Sequence, residues 1–225
     1  MSNRLRDIFF KELTLSSDKW DPYFGVYDTY FNKFVGKSPV VVEVGVQGGG
    51  SLQMWEKYFG EGAKITGIDI DVGIMMGPRH DRPPYRSDTK LVIGDQGSIP
   101  FWDNFLQETP KIDVFIDDGG HTMEQQMITL EKVFPHIANG GVFICEDTHT
   151  SYYPWMNAGL RHPNSFIEYS KRLIDVIHYD HLQDKSMITD EVLQIYKGLV
   201  SVAFYDSMVV FLKDEKKEFK RVFSI

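Results

Sequence analysis

"VVVEVGVQGGGSLQMWEKYF" (40–59) passes from a β-branched run through a glycine cluster into a stretch with helical spacing. "VVVEVGV" (40–46) is almost continuously apolar, as a strand covered on both faces of a parallel sheet must be, and "SLQMWEKYF" (51–59) predicts a helix. The same alternation continues outward. "KITGIDI" (64–70), "KLVIGD" (90–95), "DVFIDD" (113–118) and "GGVFICED" (140–147) read as strands. "IPFWDNFLQET" (99–109) and "EQQMITLEKVFPHI" (124–137) read as helices, the second with Met127, Leu130, Val133 and Phe134 at helical spacing. A βαβ series of this kind builds an open parallel sheet with right-handed crossovers. After a long helical region, 163–198, "LVSVAFYDSMVVFLKD" (199–214) predicts two strands about a tight turn near 205–207, and hence one antiparallel edge strand. The fold class is α/β: a doubly wound, mostly parallel seven-stranded sheet with helices on both faces and an antiparallel C-terminal hairpin. "GIMMGPRHDRPPYRSDT" (73–89) is rich in Gly and Pro and reads as a long loop over the carboxyl edge of the sheet.

Composition narrows the function classes. A chain of 225 residues, 42% of them hydrophobic, can bury one substantial core. A net charge of −8 with scattered Lys and Arg argues against a nucleic-acid backbone as partner. The start, "MSNRLRDIFFKEL", lacks a signal-peptide core, and no apolar run is long enough to span a membrane, so a soluble, cytoplasmic protein with no membrane partner is expected. The single Cys145 has no partner for an internal disulfide, which fits a reducing compartment. Aromatic residues at 20, 23, 24, 27, 30, 31 and 34 follow helical spacing, so 1–37 is expected to be a helical lid or subunit-contact segment ahead of a domain over 38–225.

Ligands of open α/β sheets bind beyond the carboxyl ends of the strands. The first tip, "EVGVQGGGS", places Gly45, Gly48, Gly49 and Gly50 between strand and helix, where bare backbone and a helix amino end favour a small anionic ligand. Val46 and Gln47 break the G-x-G-x-x-G spacing, so a dinucleotide pyrophosphate fits poorly. Asp69 ends the next strand, placed to accept hydrogen bonds from ribose hydroxyls, and Asp95 the next, placed to meet the exocyclic amine of a base. Each acid alone also reads as a helix cap or loop residue. Together with the glycine turn they form a nucleoside-binding layout.

At this point the sequence resembles a known group. "VEVGVQGGG", "GIDID" and "GDQ" look like the S-adenosylmethionine site of class I methyltransferases, a Rossmann-like fold. "IDDGGHTMEQQ", "FICEDTHTSY" and "SSDKW" (16–20) look like the metal-dependent macrolide-sugar O-methyltransferases of macrocin and mycinamicin type and their cephalosporin hydroxylase-like relatives. The chain shows no counterpart of the long amino-terminal domain of the mycinamicin relatives. The resemblance implies S-adenosylmethionine contacts at Glu43, Gly45, Gly49, Ser51, Asp69, Asp95, Gln96 and Asp117, and Mg²⁺ (or Mn²⁺) ligands at Asp118, Glu146 and Asp147. It also implies His121 and Asp118 as the catalytic pair, with the histidine as base. Assembly into dimers or tetramers is implied as well.

The residue chemistry agrees with that implication. An oxygen-only trio suits a hard cation, and a divalent ion offsets the repulsion among carboxylates in a dry cleft. A blander reading makes Glu146 and Asp147 helix caps and Asp117 and Asp118 a turn. His121, near neutral in ordinary pKa, can take a proton from an acceptor hydroxyl; His149 is a weaker candidate, and Asp117 a supporting or capping residue. Tyr152, Tyr153 and Trp155 are placed to wall an acceptor pocket, or else serve as core or interface residues. The expected reaction is methyl transfer to a hydroxyl of a sugar or glycosylated small molecule. A catechol acceptor, or a non-catalytic nucleotide-binding protein of the same fold, is the alternative. A nicotinamide oxidoreductase leaves the acid trio unexplained, and a hydroxylase lacks a two-histidine iron motif at the tips.

Overall fold

The computed structural model describes residues 4–71, 73, 85, 86 and 88–224. Most of the loop expected over 73–89 therefore lies outside the described residues. The elements run α1 (Arg4–Lys11), α2 (Tyr23–Phe31), β1 (Val40–Val44), α3 (Gly50–Phe59), β2 (Lys64–Asp69), β3 (Lys90–Ile93), α4 (Ile99–Glu108) and β4 (Ile112–Asp117). They continue with α5 (Met123–Val133), β5 (Ile137–Cys145), α6 (Phe166–Ile177), α7 (Asp190–Ile195), β6 (Leu199–Tyr205) and β7 (Met208–Lys213).

Among the described residues the sheet has seven strands in the order β3-β2-β1-β4-β5-β7-β6. β1 to β5 pair in parallel, while β7 runs antiparallel to both β5 and β6. The hairpin is where the sequence puts it, but its antiparallel strand is not at the edge. β7 is inserted between β5 and β6, and β6 takes the edge. Burial explains the order: Met208, Val209, Val210 and Phe211 are all buried, whereas β6 ends in the exposed Phe204 and Tyr205. The more apolar strand of the pair gains more by being covered on both sides.

Alternation along the strands feeds two cores. Val41, Val114, Ile116, Val142, Ile144 and Val210 face α1, α2 and α3, where Tyr27 and Phe31 meet Trp55 with ring centroids 5.2 and 5.6 Å apart. Val42, Phe115, Phe143, Val209 and Phe211 face α4, α5 and α6, around Trp102, Leu130 and Phe166. The helical aromatic spacing read over 20–34 is thus spent largely inside the chain, on α3.

Local signals set the boundaries near the site. Ser98 caps α4 with Pro in its first turn. Thr122 caps α5 through a capping box with Gln125, and Pro135 turns the chain out of the helix into the 3₁₀ turn Phe134–His136. Thr122→Ala should cost about 1 kcal/mol of stability in urea denaturation. An unchanged midpoint would show that the cap does not hold the start of α5.

Candidate active site

The acid and glycine tips fall at or just past the strand ends, where backbone bonds such as Gly45 N–H to Ile68 O (2.8 Å), Asp118 N–H to Val44 O (2.9 Å) and Glu146 N–H to Asp117 O (2.8 Å) still hold them side by side at the carboxyl edge. They line a cleft of about 430 Å³. At the end of β1, Gly45 adopts φ 94°, and a Cβ there would lie 1.8 Å from the carbonyl oxygen of Asp118. A side chain at this position is excluded, and the β1 and β4 tips touch through backbone alone. Gly49, at φ 83°, precedes α3, where a Cβ would meet the Tyr85 hydroxyl.

Asp69 lines the cleft and stitches the glycine turn: its Oδ2 accepts from the N–H groups of Val46 (2.8 Å) and Gln47 (3.0 Å), and its Oδ1 from Asp71 (2.9 Å). Asp95 also lines it and accepts from Gly97 N–H at 2.8 Å, so the loop reading of this residue has a physical counterpart. Gln96 ties the β3 tip to the β4 tip, donating to Asp117 Oδ1 at 2.5 Å and accepting from Gly120 N–H at 2.9 Å. Asp117 itself is buried behind the cleft. Burial pushes its carboxyl up to about 7, against the Gly119 and Gln96 donors, and its Oδ2 has no partner among the described residues. Glu43 is also beneath the cleft rather than lining it, bonded through Oε2 to Ser51 Oγ at 2.7 Å. Burial raises its carboxyl, with Lys19 and Ser51 opposing.

The acids of β4 and β5 gather around residues from the amino-terminal segment. Lys19 Nζ lies 2.5 Å from Asp118 Oδ2, 2.9 Å from Glu146 Oε2 and 3.6 Å from Glu43 Oε1. Burial pulls its ammonium down, but the surrounding Asp118, Glu146, Tyr27 and Glu43 together hold it well above the ordinary lysine value. Tyr27 donates to Glu146 Oε1 at 2.6 Å. Burial pushes Glu146 up, with Lys19 opposing. Asp147, at φ 52°, accepts on Oδ1 from Tyr23 (2.8 Å) and from the indole of Trp20 (3.1 Å).

His121 sits at φ 55° between the two tips, its Nε2 3.5 Å from Asp147 Oδ2 and 4.0 Å from Asp118 Oδ1. Its Nδ1 is buried with no partner among the described residues. Donor atoms of Asp118, His121 and Asp147 lie within 4.8 Å of one another, a set dominated by carboxylate oxygen that fits a hard divalent cation. Glu146 is not in that group, because its carboxylate is turned to Lys19 and Tyr27.

His149 stands farther out, bonded to Ser207 Oγ at the hairpin tip. Tyr152, Tyr153 and Trp155 do not line the cleft; Tyr153 and Trp155 stack at 4.6 Å outside it, with Trp155 74% exposed. Among the described residues, the Trp and Tyr side chains that border the cleft are Trp20 and Tyr23. The sequence reading missed these two, along with Lys19 and Tyr27. The available signal was "DKWDPYFGVY", a lysine followed by tyrosines one helical turn apart, which reads equally well as a packed helix.

No protein-family model matches the chain. An L-olivosyl-oleandolide 3-O-methyltransferase of Streptomyces antibioticus is 31% identical over 201 residues, 83% of this chain and 50% of that protein. A mycinamicin VI 2''-O-methyltransferase of Micromonospora griseorubida is 32% identical over 187 residues, 75% of this chain and 44% of that protein. The chain thus spans about half the length of the curated relatives it matches. Among solved structures, the MycE methyltransferase of the mycinamycin biosynthetic pathway, in complex with Mg and SAH, superposes with a TM-score of 0.77 at 23% identity. That superposition covers 94% of this chain and 54% of MycE. Over most of its length, then, the chain resembles the sugar O-methyltransferases of macrolide pathways, and it has the Rossmann-like fold of a methyltransferase.

Proposed function

We propose that the chain is an O-methyltransferase that uses S-adenosylmethionine and Mg²⁺ (or Mn²⁺) to methylate a hydroxyl of a sugar or glycosylated small molecule. One observation carries the reading. The cleft that begins at the side-chain-free Gly45 turn and passes Asp69 and Asp95 ends at the cluster of Asp118, His121 and Asp147. The relatives' names support the sugar hydroxyl as acceptor, and the MycE structures support the pair of cofactors.

The residues fit both groups. The Gly45 turn, whose close packing on the Asp118 backbone leaves no room for a Cβ, and Asp69 with Asp95 would hold the nucleoside and its methionine tail, which supplies an electrophilic methyl. Glu43, Gly49, Ser51, Gln96 and Asp117 support that turn from behind or beside it, fixing its backbone. Asp118 and Asp147 would hold the divalent ion, with Glu146 as the third oxygen ligand; a hard cation bound there would supply Lewis acidity to an alcohol that is a poor nucleophile at neutral pH. His121 Nε2, held between two carboxylates, would take the hydroxyl proton as base. Trp20 and Tyr23 fix Asp147 in one orientation by donating to its Oδ1. On this account segment 1–37 borders the site like a lid, and 38–225 form the methyltransferase domain.

The proposal includes a cytoplasmic protein that assembles into a homo-oligomer. Among the described residues no helix is long and apolar enough to cross a membrane, Cys145 is buried and free, and exposed Trp155, Leu160 and Met187 offer apolar contact surface. Light scattering on a sizing column tests the assembly, and a monomer at micromolar concentration would end that part of the proposal.

Methyl transfer from labelled cofactor to a panel of glycosides, free nucleotide sugars and catechols tests the function. Labelled glycosides are expected, with turnover lost on chelation of divalent ions. Labelling of catechols alone would replace the acceptor class, and no labelling with any hydroxyl acceptor would favour a non-catalytic nucleotide-binding protein. At the cofactor end, Asp69→Ala should weaken S-adenosylmethionine binding by roughly 1–3 kcal/mol, through lost ribose partners and unpaired turn N–H groups. Unchanged affinity by calorimetry would remove Asp69 from the ribose site.

A further inference from the structure

We propose that Lys19 is a resident counterion of the acid cluster that gives up Glu146 when a divalent ion is loaded, and so decides whether His121 serves as ligand or as base. The inference rests on the cation-dependent reading above. Lys19 is 1% exposed, with Glu43, Asp118 and Glu146 around it. Acids this close repel one another in a site shielded from water, and a lone ammonium holds them together.

The hydrogen bonds show which oxygens are committed. Both oxygens of Glu146 are engaged, Oε2 by Lys19 and Oε1 by Tyr27. Asp118 Oδ1 and Asp147 Oδ2 are turned towards His121 instead. While the ammonium stays on Glu146, the third donor beside the two aspartates is therefore a histidine nitrogen. Once Lys19 withdraws, a carboxylate oxygen takes that place and the imidazole keeps its nitrogen for a proton. A hard cation prefers the oxygen.

The ammonium has a place to withdraw to. Glu43 Oε1 is buried, has no hydrogen-bond partner among the described residues, and lies 3.6 Å from Lys19 Nζ. A small side-chain shift makes that bond and releases Glu146. The backbone need not follow, because the preceding strap is pinned to α3: Gly50 N–H donates to Ser16 O at 2.9 Å, and Gln53 Oε1 accepts from Thr14 and Leu15 N–H at 3.1 Å each. Lys19 is a positioning residue in this account, acting through Glu146 and His121.

The test uses the full chain in two measurements. In wild-type protein carrying ¹⁵N-lysine, the Lys19 Nζ resonance, assigned by its loss in Lys19→Arg, should move on saturation with Mg²⁺. Mn²⁺ binding by electron paramagnetic resonance should tighten roughly tenfold or more in Lys19→Met, since a competing positive charge a few ångströms away is removed, even though that variant melts lower without metal. A purely structural role predicts the opposite sign, with lower stability and weaker metal binding together. If Lys19→Met fails to fold, the wild-type resonance decides alone. An unmoved resonance at saturating Mg²⁺, or Mn²⁺ binding that is unchanged or weaker in folded Lys19→Met, overturns the proposal while leaving a cation-dependent enzyme. Absence of any Mg²⁺ or Mn²⁺ binding by wild-type protein overturns both.

Discussion

Asp118→Asn should leave the sheet and cofactor binding intact and lower methyl transfer by roughly a thousandfold or more. Asp118 is the residue on which the β4 tip converges: its backbone N–H donates to Val44 O at 2.9 Å, and its side chain meets both Lys19 and the His121 side of the cluster. The amide keeps the shape and the backbone bond but loses the charge that attracts a cation. Stabilising an alkoxide-like acceptor by a divalent ion is worth several kcal/mol, and about 4 kcal/mol corresponds to a factor of roughly a thousand in rate. The measurement is initial-rate transfer of labelled methyl, with cofactor affinity followed separately by calorimetry. Turnover within tenfold of wild type, or undiminished turnover of wild type in a chelator, would remove the cation from the mechanism and leave Asp118 as a direct proton acceptor.

The second large effect is at His121. Loss of a general base typically lowers turnover by about 10²–10⁴, with little change in the affinity for substrate when the group acts only in the transition state. The backbone here complicates a simple truncation, since φ 55° is a region that asparagine tolerates better than alanine. His121→Asn is therefore the informative variant, with His121→Ala as its companion. Both should lose turnover by that factor and keep their divalent-ion affinity. If ion affinity falls in step with turnover, His121 is a ligand rather than the base, and the Asp118, His121 and Asp147 grouping is the working metal site.

The sequence was most legible where one physical signal dominated. The five parallel strands were plain because burial on both faces demands continuous apolar runs. The glycine turn was plain because only glycine tolerates the approach of Asp118 backbone to Gly45. The order of the hairpin strands was not, since both are apolar and only their relative burial in the finished sheet places β7 inside. Lys19 was hardest to read. Its partners Asp118 and Glu146 are 99 and 127 residues away along the chain, and no local periodicity encodes a contact of that range. A lone lysine in a polar stretch ordinarily signals solvent, and its burial follows only after the tips of β1, β4 and β5 have been brought together. The aromatics were misjudged for a related reason: Tyr152, Tyr153 and Trp155 follow the acids in sequence, but the 3₁₀ turns Thr148–Tyr152 and Pro154–Met156 carry them away from the cleft.

The position of β7 also bears on how the molecule is assembled. The strand spanning Met208–Lys213 is the last of the sheet to leave the ribosome, and it is an interior one, pairing with β5 on one side and β6 on the other. Until it arrives, the edge of β5 has no neighbour and β6 has nothing to join. Nascent chains halted before Met208 should therefore carry an open, apolar edge at Ile144 and Cys145, the kind of edge on which chains pair wrongly with one another. Completion of the sheet waits on Met208–Lys213, and the hairpin turn adds its bond to the β5 tip, Thr148 N–H to Ser207 O at 3.1 Å, only at that step.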